Sequence, residues 1–132
     1  MATFRMTRVL SAATFVFSLT VLSCKDESPT QGSIVFPSSG ISFGQHVQPL
    51  FVQRCTSGCH GTPDALDLTP PMYTNLMSYQ PQLVILGQGD NSLLVQLLEG
   101  RTLPEMPPAG ARLTDNQING IKTWINEGAP NN

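Results

Sequence analysis

Two thiols and an imidazole stand within six residues at Cys55-Thr56-Ser57-Gly58-Cys59-His60. A cysteine pair followed at once by histidine suits the attachment of a c-type haem. The two thiols add across the two vinyl groups, and a chain anchored at both must pass beneath the iron, which brings the next imidazole to it. The usual spacing is C-x-x-C-H. Here three residues part the cysteines, giving C-x-x-x-C-H, and Gly58 helps the additional residue loop outward. The same residues admit two other chemistries. Four-residue spacing on a helical turn or loop permits a Cys55–Cys59 disulfide. Zinc bound with His60 and His46 fits less well, because the adjacent Cys59 and His60 do not readily point at one tetrahedral ion.

An iron held by His60 on one face needs a second ligand from further along the chain. Leu103-Pro104-Glu105-Met106-Pro107-Pro108 is the best source. Prolines on both sides keep the backbone extended and stiff, so the Met106 thioether can reach the open face. Methionine opposite histidine raises the reduction potential and closes the iron to substrates. Without haem, Met106 is simply a core residue in a proline-rich loop. The competing ligands are Met72, which follows two prolines but lies 12 residues after His60, and His46, on the helix leading into the motif. Met77 reads as a packing residue.

Helices must position these groups. Phe43, Val47, Leu50 and Phe51 are spaced as one apolar face ahead of the motif. Pro49 predicts that this helix is kinked or starts late. A second helix begins near Asp90-Asn91-Ser92, carries Leu93, Leu94, Leu97 and Leu98, and stops at Gly100. The third has a capping box of Thr114 with Gln117, and Asp115 in its first turn. Its buried stripe is Ile118, Ile121, Trp124 and Ile125, and Gly128 with Pro130 ends it. A short helical turn is expected from Met72 to Tyr79. Nothing reads as a strand, so the fold class is all-α with about three core helices. No internal repeat is visible.

The 132 residues suffice for one domain. Arg5 and Arg8 precede Val9 to Leu22, an uncharged and mostly apolar run too short to span a bilayer, as in a signal peptide. Val21-Leu22-Ser23-Cys24 resembles the lipobox of bacterial lipoproteins, which implies cleavage after residue 23 and acylation of Cys24. Several acyl chains on one residue give durable membrane attachment. Residues 24–40 read as the lipidated cysteine and a flexible tether, polar and breaker-rich through Pro37-Ser38-Ser39-Gly40. Residues 41–132 form the folded domain, of a size that often depends on a staple, metal or cofactor. Lys25-Asp26-Glu27 resembles a surface-export signal of Bacteroidetes lipoproteins, and Lys25 rather than Asp after the lipid cysteine implies the outer membrane by resemblance to the sorting rule of enteric bacteria. The location expected is therefore the cell envelope, on an outer-membrane lipoprotein facing the periplasm or the surface. Loss of Arg5 and Arg8 leaves five basic residues of the seven against nine acidic ones, a net charge of −4. An acidic chain without a basic cluster argues against nucleic acid as a partner.

Taken in order, these features form a pattern. Val47-Gln48-Pro49-Leu50-Phe51 precedes Cys55…Cys59-His60-Gly61 and Leu66-Asp67-Leu68. Gly87-Gln88-Gly89-Asp90-Asn91-Ser92-Leu93-Leu94 follows, then Met106-Pro107-Pro108. Leu113-Thr114-Asp115 leads into Ile121-Lys122-Thr123-Trp124-Ile125-Asn126-Glu127-Gly128-Ala129. The sequence resembles the small mono-haem cytochrome c domains of planctomycetes and Bacteroidetes-like bacteria, related to class I cytochrome c. The resemblance implies a cytochrome c fold with first and last helices packed together. It further implies one covalent haem c, thioethers at Cys55 and Cys59, and His60 and Met106 on the iron. The extra residue between the cysteines departs from the family pattern. The implied role is electron transfer to a redox partner protein by a lipid-anchored, non-enzymatic carrier. Two alternatives stand beside it: a haem enzyme or sensor with an open distal site, and a haem-free surface lipoprotein with a Cys55–Cys59 disulfide.

Overall fold

Ser42 begins the first helix, accepting from the Gln45 amide with its hydroxyl. The computed structural model describes residues 34–61, 66–108 and 112–132. The segments expected to be a signal peptide and, as far as residue 33, a lipidated Cys24 with its tether lie outside the described residues. Helix α1 runs without a break over 43–56, but its winding changes twice. Phe43–Val47 and Val52–Thr56 are wide π-type turns, and Gln48–Phe51 between them is α-helical. Pro49 does not interrupt the segment. It falls in the first turn of the α-wound stretch, where a missing N–H is tolerated. Phe43, Val47, Leu50 and Phe51 are all buried, so the apolar face is the one their spacing implies.

Helix α2 (Met72–Ser78) and helix α3 (Leu93–Leu98) follow, with a single 3-10 turn at Gly89–Asn91 between them. Ser92, just ahead of α3, is fully buried yet does not cap it. Its hydroxyl instead donates to the Gln88 carbonyl (2.9 Å) and accepts from the Ile85 amide (2.8 Å), which knits the 85–92 loop. Gly100 ends the run in a left-handed conformation (φ +69°). Helix α4 (Asp115–Asn126) carries both halves of the Thr114–Gln117 capping box. The described part is thus helical, without a strand among the described residues.

The core centres on Trp124, which has no exposed surface and donates from its indole N–H to the Pro130 carbonyl (3.0 Å). Phe43 of α1 lies 5.6 Å from it and Tyr73 of α2 lies 6.4 Å away, edge-on, so three helices meet on one aromatic cluster. One boundary moves. Residues 34–40, read from composition as the end of the tether, pack on α4. Phe36 is buried, and its N–H and carbonyl are both bonded to the Asn116 amide side chain (2.8 and 3.0 Å). The apolar triplet Ile34-Val35-Phe36 between polar, breaker-rich stretches is too short to give a periodic signal, yet burying Phe36 offsets the ordering of the segment.

Candidate functional site

The wide turn that ends α1 delivers Cys55 to the core edge. The Thr56 hydroxyl donates back to the Phe51 carbonyl (3.2 Å) and secures that turn. Gly58 then takes φ +79°, a left-handed conformation that a side chain would strain, and the loop turns back through Cys59. The His60 amide closes it on the Cys55 carbonyl (3.1 Å), five residues back. The residue additional to a C-x-x-C-H spacing is therefore taken up between a π-wound turn and one left-handed glycine.

His60 is fixed by main chain. Its carbonyl accepts from the Leu68 amide (2.8 Å), and its Nδ1 lies 2.9 Å from the Leu66 carbonyl. A carbonyl only accepts, so Nδ1 is the donor in that bond, and in the neutral ring Nε2 is the nitrogen with the lone pair. This is the second partner that metal-ligating histidines usually have.

Leu93, Leu94, Leu97 and Leu98 of α3 form one wall of an apolar cleft of about 340 Å³. Cys55, His60 and Met106 line it, with Phe51, Leu66, Leu68 and Leu83 behind. The Met106 amide donates to the Leu97 carbonyl (3.0 Å), which ties the proline-braced loop to that wall. A second recess of about 260 Å³ adjoins the cleft, sharing Cys55, His60, Leu98 and Met106 and adding Arg54, Cys59, Pro107 and Pro108. Cys55, His60 and Met106 thus border both hollows, and Cys59 borders the second. Both thiols are free. Burial pushes the Cys55 thiol up from 9.0 to about 11, against a smaller lowering by Arg54.

The competing ligands lie elsewhere. His46 accepts from the Ser42 amide at Nδ1 (3.0 Å) and rests against Phe36, with ring centroids 5.8 Å apart. Met72 is buried in the core beside a separate shallow recess, and Met77 packs against the core. No three His, Cys, Asp or Glu side chains converge among the described residues. Tyr79, Pro81 and Leu83 also line the cleft and escape a reading of the sequence, because an irregular segment has no periodicity to betray which side chains face inward. No helix among the described residues is long and apolar enough to cross a membrane.

No family model matches the chain, and neither a curated protein nor a solved structure is found to be similar to it.

Proposed function

We propose that this chain is an electron-transfer protein of cytochrome c fold, holding one covalent haem in the cleft and tethered to the cell envelope through a lipid on Cys24. The observation that carries the reading is the convergence of Cys55, His60 and Met106 on one apolar hollow, with Cys59 at its outer recess. The donor set fits the group. Two thiols serve the two vinyl positions, an imidazole with its Nδ1–H already committed to Leu66 offers Nε2, and a thioether stands on the same hollow. The leucine wall suits a flat apolar macrocycle.

Bound there, haem supplies a one-electron couple. The chain's own residues do the rest. Cys55 and Cys59 anchor the group, and the Leu66 carbonyl orients His60 and raises its basicity as a ligand. Met106, held to α3 through its amide, would supply a thioether ligand to the iron and keep small ligands out. The leucines of α3 exclude water, which favours the less charged state and raises the potential. Among the described residues, the lining of the cleft carries no Asp, Glu, Lys or Arg side chain, while Arg54 borders the adjoining recess.

The experiment is expression with a c-type maturation system, followed by haem staining on a denaturing gel. The wild-type chain should stain, and the Cys55→Ala/Cys59→Ala chain should not. A double variant that keeps its full red colour contradicts covalent attachment. An unstained wild-type chain would favour the haem-free disulfide form.

A further inference from the structure

The three residues between the cysteines are not equivalent. Ser57 and Gly58 are exposed, and Thr56 alone is half-buried. Its hydroxyl faces main chain from two separate segments. It lies 3.2 Å from the Phe51 carbonyl, on α1, and 3.5 Å from the Leu68 carbonyl, 12 residues further on. A hydroxyl has one proton, so the two carbonyls share it in a three-centre bond, the nearer one taking the larger part. Thr56 also meets Gly61. A Cβ built on Gly61 would lie 3.1 Å from the Thr56 carbonyl and 3.7 Å from its methyl group, so the chain leaving His60 passes close against Thr56. The other contacts of this hub enclose His60. The Cys55 carbonyl, just before Thr56, accepts from the His60 amide (3.1 Å), and the Leu68 amide donates to the His60 carbonyl (2.8 Å). The Leu66 carbonyl that takes the Nδ1 proton belongs to the same 66–68 segment. Thr56 therefore joins the end of α1 to the segment that orients the imidazole.

From this geometry we infer that Thr56 is a positioning residue of the site: its hydroxyl staples the cysteine turn to the 66–68 segment and so fixes the direction in which His60 presents Nε2. An additional residue between the cysteines brings two further backbone torsions that must be held, and Thr56 is the residue of the three whose side chain holds them. The consequence for haem ligation rests on the function proposed above; the support of His60 does not.

Two measurements on the full chain separate these. Thr56→Val keeps the side chain's shape and removes the hydroxyl, whereas Thr56→Ser keeps the hydroxyl. In the haem-free chain, amide hydrogen exchange is followed residue by residue by NMR. Exchange at His60 and Leu68 should be about ten-fold faster in Thr56→Val, as loss of one hydrogen bond gives, close to wild type in Thr56→Ser, and unchanged at Ile121 of α4. Gly61→Ala presses on Thr56 from the other side and should speed the same two amides, which keeps the test open if Thr56→Val does not fold. Equal acceleration at Ile121 would make Thr56 a general support of the fold and overturns the proposal, as does unchanged exchange at His60 and Leu68. In the loaded ferric chain, the hyperfine-shifted haem methyl resonances report the orientation of the axial ligands. Their pattern should change in Thr56→Val and hold in Thr56→Ser; one pattern common to all three chains overturns the role in ligation. A wild-type chain that takes up no haem, with exchange at the two amides still accelerated in Thr56→Val, keeps the support of His60 and removes the cofactor.

Discussion

His60 shows what a single residue needs beyond its own chemistry. Three main-chain contacts, to Cys55, Leu66 and Leu68, set its ring and its tautomer. None of these partners has a side-chain signature, so the sequence names the histidine but not its support. The Cys–Cys–His order and the prolines around Met106 are legible because they are side-chain patterns. The two thiols differ in setting, Cys55 half-buried and Cys59 exposed. In the haem-free folded chain, alkylation of Cys55 should stay slow at pH 9 and accelerate towards its value of about 11, read by peptide mass mapping. Equal labelling of both cysteines at pH 9 contradicts the burial of Cys55. If Met106 is a ligand of the iron in the loaded chain, Met106→Ala would leave its place open. The reduced variant should bind carbon monoxide rapidly, in stopped-flow absorbance, where the wild type binds it slowly. Rapid binding by the wild type would show that Met106 is not a stable ligand and would favour a sensor or enzyme.

At the scale of elements, α4 was the most legible, since capping box, stripe and terminator all agree with one another. Its contact with residues 34–40 was not. A Cβ built on Gly120 would lie 2.2 Å from the Phe36 ring, so the absence of a side chain there admits the aromatic. Gly120→Ala should destabilise the fold by about 2 kcal/mol through overpacking, measured by urea unfolding. In a double-mutant cycle with Phe36→Ala the combined loss should be less than the sum of the two separate losses, a coupling that helix propensity alone does not give, since alanine is the better helix former. Thr114→Ala removes the cap and should cost about 1 kcal/mol in the same assay. Helix α1 departs from its expected form for a local reason. Pro49 predicts a kink or a late start, and the chain answers with wide turns before and after it. The second of these turns carries Cys55, and π-type turns often mark functional positions.

Across the whole molecule, charge and chain order bring distant segments together. Lys122 of α4 bonds Asp90 of the 3-10 turn (2.7 Å) and Glu99 after α3, which fixes the leucine wall against the last helix. Hydrogen bonding from Lys122 holds the Asp90 carboxyl below its ordinary range. Burial raises Glu99, but bonds from Lys122 and Arg101 outweigh this and leave it low. The same bonds raise Lys122 above 10.5. Carboxyls held low add stability above their unfolded values of 3.8 and 4.5 and lose it as the pH falls through their folded ones; Lys122 keeps its share until the pH climbs past 10.5. Thermal melts between neutral pH and strong acid should therefore fall less steeply for Lys122→Ala than for the wild type; parallel curves would show that this network carries none of the acid lability. The helical class was readable from periodicity, whereas the contacts that join Arg54, Arg112 and Glu99 were not, because these residues are dispersed in sequence and meet only on folding. The proposed covalent haem depends on all three scales, since only the complete fold brings the motif, the leucine wall and the Met106 loop around the cleft. It is tested most directly by a pyridine haemochrome spectrum of the purified chain. One haem per chain, with the band position of two thioether bonds, is the result predicted. A chain with no haem band after expression with a competent maturation system, or with the band of unattached haem, would contradict it.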